Sequence, residues 1–120
     1  ITYTVAGHVG DGNFHIIPLM DFSRSDTSKI IMELSEKVYD LISKYHGSIT
    51  AEHNDGIIRT PYLNKIFTDS TLKIFTEIKK IFDQGYIFNP GKKVPDGGAT
   101  GTKEYLKAHI AIEHSSVHKV

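Results

Sequence analysis

The chain opens on an alternation. Ile1, Tyr3 and Val5 fall on one side of an extended segment and Thr2 and Thr4 on the other, the pattern of a half-buried strand over residues 1–7. Val9-Gly10-Asp11-Gly12-Asn13 supplies Gly and Asn where positive φ is needed, so it reads as the loop of an antiparallel hairpin. Phe14 to Leu19 is the return strand, with Pro18 marking an edge. The period then changes. Ile31, Leu34, Val38, Leu41 and Tyr45 recur at spacings of three and four, which predicts a helix with one buried stripe. Ser25 or Asp26 is its expected cap, and Gly47 its stop in a left-handed position. Residues 48–51 alternate briefly and read as a third strand. Thr60-Pro61 opens a short helical turn through Phe67. A second long helix, capped by Thr68, Asp69 or Ser70, carries Leu72, Phe75, Ile78 and Phe82 and stops at Gln84-Gly85. Asn89-Pro90-Gly91 is a further turn.

The order ββαβ followed by helices predicts an α+β fold, a small antiparallel sheet with helices on one face. A ferredoxin-like sandwich needs a fourth strand, and residues 85–89 are its one candidate. The expected division is a domain over 1–94, a linker over 95–101 and a helical tail over 102–120 with Leu106, Ile110 and Glu113 on one side. The 120 residues give room for one domain with a self-sufficient core. Lys and Arg number 14, as do Asp and Glu, so the balance argues against nucleic acid or an anionic membrane as the main partner. No apolar run approaches the roughly 20 residues of a transmembrane helix. The absence of Cys excludes disulfides, iron–sulfur clusters and thiolate chemistry. These features suit a cytoplasmic chain, peripheral to a membrane only through a longer parent. The start at Ile1, with neither initiator Met nor signal peptide, reads as a piece of something longer.

Two constellations hold the candidate chemistry. In Gly7-His8-Val9-Gly10-Asp11-Gly12-Asn13-Phe14-His15, one imidazole closes the first strand and another opens the second, so the hairpin brings both to one end. Glu52-His53 lies at the end of the third predicted strand. With a neighbouring pairing, His8, His15 and Glu52 make a three-ligand site with an open position, suited to Zn²⁺ or another borderline divalent ion. Neighbours on a strand face opposite ways, so Glu52 and His53 divide the work between metal and substrate. The plainer alternative is a pair of loop histidines bonded to backbone. Gly10-Asp11-Gly12 precedes a strand and is no phosphate cradle. His46 suits a helix C-terminus, His114 and His118 a solvated tail, and Lys79-Lys80 and Lys92-Lys93 solvated faces.

These residues carry a resemblance. The first constellation resembles the GHxGDGNxH signature in the C-terminal substrate domain of FAD-linked oxidases of the vanillyl-alcohol oxidase type. Gly47 to Leu63, GSITAEHNDGIIRTPYL, is similar to a second signature built on Glu-His-Gly, and Ile78 to Lys92, IKKIFDQGYIFNPGK, to a third that closes on Asn-Pro-Gly-Lys. The family includes D-lactate, glycolate and D-2-hydroxyglutarate dehydrogenases. The resemblance implies oxidation of a 2-hydroxy acid to the 2-oxo acid, with hydride passing to FAD. It implies a divalent metal on His8, His15 and Glu52, and His53 as the base that takes the hydroxyl proton. Asn13 and Arg59 become candidates for substrate contact, Arg because it grips a carboxylate bidentately, and Asn89 lies towards the flavin.

Three positions depart from the pattern. Asn54 replaces the Gly after Glu-His, Gln84 replaces a Pro, and Ile17 stands where some hydroxyglutarate-type members place a polar substrate contact. The FAD-binding domain is expected in the parent protein, so the chain alone is expected to be silent. A truncated sheet leaves an unpaired edge through which a homodimer is expected. The competing reading is a stand-alone α+β module that binds a metal or an anion without redox activity.

Overall fold

The computed structural model describes residues 1–95 and 100–110. The hairpin forms where the alternation predicts. β1 (Tyr3–Ala6) and β2 (His15–Pro18) pair antiparallel, with Tyr3 opposite Pro18 and Ala6 opposite His15. Helices α1 (Thr27–Lys44), α2 (Gly56–Arg59), α3 (Asp69–Phe82) and α4 (Lys103–His109) follow, so the class is α+β. Short 3₁₀ turns at Val9–Asp11, Ala51–His53 and Thr60–Lys65 link them.

The expected third strand is absent. Ala51 takes φ 48° and Asn54 φ 59°, left-handed values that interrupt an extended run. The Thr50 hydroxyl donates to the Asp55 carboxylate and folds the segment back on itself. A strand also needs a ladder partner for its backbone groups, and among the described residues the one sheet is β1 with β2. Residues 85–89 are irregular for a related reason: the Ile87 and Phe88 N–H groups donate to the Asp83 carboxylate and not to a neighbouring strand. With two strands, the described residues do not build a ferredoxin-like sandwich. Nor do helices cover a sheet face, because β1 is exposed along its whole length. The half-buried strand of the alternation is therefore an exposed one here.

The core gathers on Tyr62, 1% exposed, with Ile49 and Leu106 beside it. Met32, Tyr39 and Ile42 of α1 pack there, and Tyr39 meets the Tyr62 ring edge-on at 4.9 Å. The face of α1 that turns inward is thus Met32-Tyr39-Ile42. Leu41 and Tyr45 of the expected stripe are exposed, while Ile31, Leu34 and Val38 are half-buried. α1 is apolar on two sides, and the choice between them was made by α4 and the Thr60–Lys65 turn, which pack on the Met32 side. α4 places Leu106 in the core, and the Ser28 hydroxyl donates to the Lys107 carbonyl. α3 is exposed at Ile78 and Phe82. Among the described residues a self-sufficient core is not what forms: five apolar residues are buried (Ile49, Tyr62, Leu63, Val94 and Leu106), and much apolar surface stays open.

The helix ends also differ from expectation. Asp26 makes no side-chain cap; its carboxylate takes the Arg24 guanidinium through Nε at 2.9 Å and Nη2 at 2.7 Å. His46, not Gly47, takes the left-handed turn after α1, with φ 55°. Gly47 eases a tight contact, since a Cβ there would lie 3.0 Å from the Ile42 methyl. Thr68 does cap α3, accepting from the Thr71 N–H at 3.3 Å. Residues 96–99 of the expected linker, and Glu113, His114 and His118 of the tail, lie outside the described residues.

Asp83 organises the turn after α3. Lys79, far from being a solvated side chain, reaches both the Asp83 carboxylate and the Phe88 carbonyl at 2.5 Å. The Lys79 ammonium, with the Ile87 and Phe88 N–H groups, holds the Asp83 carboxyl below its ordinary 3.8. A carboxyl depressed on folding stabilises above its ordinary value, and that contribution fades as pH falls towards the folded one. Asp83→Asn should therefore melt earlier than wild type at neutral pH, with the gap closing in acid below the ordinary carboxylate range. Melting curves across that range check it; a gap independent of pH would contradict it.

Candidate metal centre

The first constellation is shaped by its backbone. Gly7 has φ 130°, and a Cβ on it would lie 2.5 Å from the Asn13 carbonyl and 3.2 Å from the His15 ring. No other residue fits there. The His8 carbonyl accepts from the Asp11 N–H at 2.9 Å and the Asn13 N–H at 3.2 Å, so the loop wraps on it. Gly12, left-handed at φ 69°, completes the turn and returns Asn13 and His15 alongside. From the other side comes the Ala51–His53 turn. On this tight turn, Glu52 and His53 reach the same cluster and do not point to opposite faces.

The cluster centres on Glu52. Its Oε1 stands 3.0 Å from His15 Nε2, 3.5 Å from His53 Nε2 and 4.0 Å from His8 Nε2. The Asn13 side-chain amide donates to Oε2. The His15 and His53 rings lie 4.9 Å apart, centroid to centroid. The compact trio is His15, Glu52 and His53, whose ligand atoms lie within 4.8 Å of one another. His8 stands at the margin, with 69% of its side chain exposed. A hydrogen bond from its own backbone N–H lowers the Glu52 carboxyl below the ordinary value, helped by Asn13 and by the charges of His15 and His53. The group therefore presents a carboxylate to the imidazoles. Two or three imidazoles and one carboxylate form the donor set that borderline divalent ions accept, so the residues fit such an ion.

Of the remaining candidates, Asn13 is in the cluster, and its Oδ1 is buried without a hydrogen-bond partner. Arg59 is adjacent, its Nη1 donating to the Asn54 carbonyl at 3.0 Å, with Nε buried and unpartnered. Asn89 is not drawn in; its side-chain oxygen accepts from Lys92 Nζ at 3.0 Å within its own turn. Asp55 and Lys93 were not anticipated. Asp55 is buried at 3% exposure and pairs with Lys93 Nζ at 2.7 Å, where a solvated lysine was expected. Glu52, Asn54, Asp55 and Lys93 line a cleft of about 430 Å³ with Thr50, Ile66 and Phe67. An acidic residue directly after Glu-His-Asn was the available hint, but its partner lies too far along the chain for any spacing rule.

Residues 1–93 match the family described as FAD linked oxidases, C-terminal domain. The chain belongs to this family. It is 35% identical over 89 residues to a protein of Oryza sativa subsp. indica named probable D-2-hydroxyglutarate dehydrogenase, mitochondrial, covering 74% of this chain and 15% of that one. A D-lactate dehydrogenase of Anaerostipes hadrus is 33% identical, over 72% of this chain and 18% of its own. The glycolate oxidase subunit GlcD of Bacillus subtilis is 29% identical, over 77% and 20% respectively. The chain thus spans a fifth or less of the length of these relatives. No solved structure matches it. Among the described residues, no helix is long and apolar enough to cross a membrane.

Gly7 tests how the backbone builds the centre. Gly7→Ala should destabilise the chain by about 1–3 kcal/mol, the usual scale of a strained backbone residue, and should separate His15 from Glu52. Denaturant unfolding measures the first effect and chemical shifts of the His15 ring the second. A silent substitution would contradict the geometry.

Proposed function

We propose that this chain is the C-terminal part of the substrate domain of an FAD-dependent enzyme that oxidises a 2-hydroxy acid, of the D-lactate, glycolate or D-2-hydroxyglutarate class, to the 2-oxo acid. The observation that carries the reading is the convergence of three imidazoles on the Glu52 carboxylate, supported by membership of the FAD linked oxidases. His8, His15 and Glu52 are the proposed metal ligands and His53 the base.

A divalent ion, when bound, supplies Lewis-acid stabilisation to a substrate oxygen, and FAD supplies the hydride acceptor. The chain's own residues do the rest. Glu52 stays ionised and fixes the imidazoles. His53, whose Nε2 stands 3.5 Å from Glu52 Oε1, accepts the substrate hydroxyl proton at its imidazole. The Asn13 amide, which donates to Glu52 Oε2, steadies that carboxylate and is the proposed substrate contact beside it. Arg59, whose Nη1 bonds the Asn54 carbonyl and whose Nε has no partner, is the proposed grip on the carboxylate, and Asn89 would lie towards the flavin. FAD itself is held mainly by another domain of the parent, because Gly10-Asp11-Gly12 runs on to β2 and not into a helix that would cradle phosphate. The exposed apolar faces of the hairpin and of α3 are where that parent would pack, with a homodimer through the hairpin edge as the competing occupant.

The compact trio favours a second reading, in which His53 is itself a ligand and the chain is a metal-binding module without redox activity. One experiment separates them. In a background with His114→Ala and His118→Ala, calorimetric titration with Zn²⁺ should give one ion per chain, lost in His15→Ala and in Glu52→Ala. Under the first reading, His53→Ala keeps the ion and His8→Ala loses it; the second reading reverses the two. The same protein supplied with FAD and each of the three hydroxy acids should reduce no dye, and turnover would overturn the claim that the chain is silent alone.

A further inference from the structure

We infer that Lys93 is a positioning residue, whose ammonium, through Asp55 and Asn54, locks the turn carrying Glu52 and His53 onto the Asn89-Pro90-Gly91 turn. The inference rests on the metal reading above and adds a residue outside all three sequence signatures.

The bonds are specific. Lys93 Nζ lies 2.7 Å from Asp55 Oδ2 and donates to Asn54 Oδ1 at 3.2 Å. The Lys93 backbone N–H donates to the Thr60 hydroxyl at 2.6 Å. Lys93 Nζ also sits 5.7 Å from the centre of the Phe75 ring of α3. Asp55 accepts from the Thr50 hydroxyl as well, so residues before and after Glu52-His53 are tied to one carboxylate. Lys92 behaves differently, since its ammonium turns back to Asn89 within its own turn. The lysine inside the signature shapes the turn, and the one after it makes the bridge.

Charge and strain explain why the bridge matters. Asp55 is 3% exposed, and a buried carboxylate without its cation is costly. Asn54 takes φ 59° and ψ 178°, a conformation that suits glycine, where the family pattern has Gly. Its side-chain oxygen compensates by accepting from the Asp55 N–H at 2.8 Å and from Lys93. Asn54, Asp55 and Lys93 therefore act as one unit that replaces the freedom of a glycine with a fixed shape. Metal ligands must be held to within about half an ångström to work together. Glu52 and His53 precede this unit directly, so loosening it moves both.

The test is Zn²⁺ affinity of the full chain in wild type, Lys93→Met, Asp55→Asn, the double variant and Lys93→Arg, at a temperature where melts show all to be folded. Supporting groups behind metal ligands contribute roughly ten- to hundredfold in affinity, and each single variant should lose that much. The double variant should be no weaker than the weaker single, and Lys93→Arg should recover most of the loss. An unchanged affinity in Lys93→Met beside a lowered melting temperature would mean a purely structural role and overturn the inference. If wild type binds no Zn²⁺, the metal reading fails on its own account. Exchange of the His53 amide proton, bonded to the Thr50 carbonyl at 3.3 Å, then decides: faster exchange in Lys93→Met upholds the positioning role, and unchanged exchange refutes it.

Discussion

A carboxylate offers about four acceptor positions, and Glu52 is placed so that groups from two otherwise separate parts of the chain compete for them. Asn13 and His15 come from the hairpin, and His53 from the turn that leads into the helical body. Among the described residues, the side-chain hydrogen bonds between residues 1–19 and the rest of the chain end on this one side chain. Among the described residues, Tyr3, Val5, Ile16 and Ile17 of the hairpin are exposed and stand outside the core cluster, so its placement depends on polar contacts. Such contacts are individually weak in water and gain strength by being multiple and charge-assisted. The arrangement that could carry out chemistry is therefore also the joint of the structure.

The helical body explains why the joint lies at the surface. Its core is a short column around Tyr62, closed by α4 on one side and Ile49 on the other. Tyr62 is 1% exposed, and this burial pushes its hydroxyl up to about 12, with the Glu36 charge adding to it. Elsewhere apolar side chains such as Val5, Ile16, Ile81 and Phe82 stand in solvent. Exposed apolar area on this scale is unusual for a chain that works alone. It suits one that spans a fifth or less of its relatives.

What was legible in the sequence was local. The hairpin followed from alternation and a Gly-Asn loop, and α1, α3 and α4 from period, with Thr68 among the expected caps of α3. The approach of His15 to Glu52, with His8 at the margin, was legible in two motifs, whereas His53 was expected to face away from Glu52 and lies beside it. What failed depended on partners. Residues 48–51 alternate like a strand, yet among the described residues no neighbouring strand is there to pair with, and Ala51 turns left-handed. The inward face of α1 was misread because two apolar faces were available and distant segments selected one. Gly47 resembled a left-handed stop, but His46 takes that conformation and Gly47 lies against Ile42. Lys93 and Asp55 were invisible because an ion pair between residues far apart in sequence leaves no periodic trace.

The central claim is that Glu52 gathers the hairpin and the helical body into one centre, and proton–proton contacts measure this directly. Nuclear Overhauser spectra of the metal-free chain should show cross-peaks between the His15 and His53 rings, whose centroids are 4.9 Å apart. These cross-peaks should vanish in Glu52→Ala while those within the hairpin and around Tyr62 persist. Their absence in the wild-type chain, or their survival without Glu52, would contradict the account.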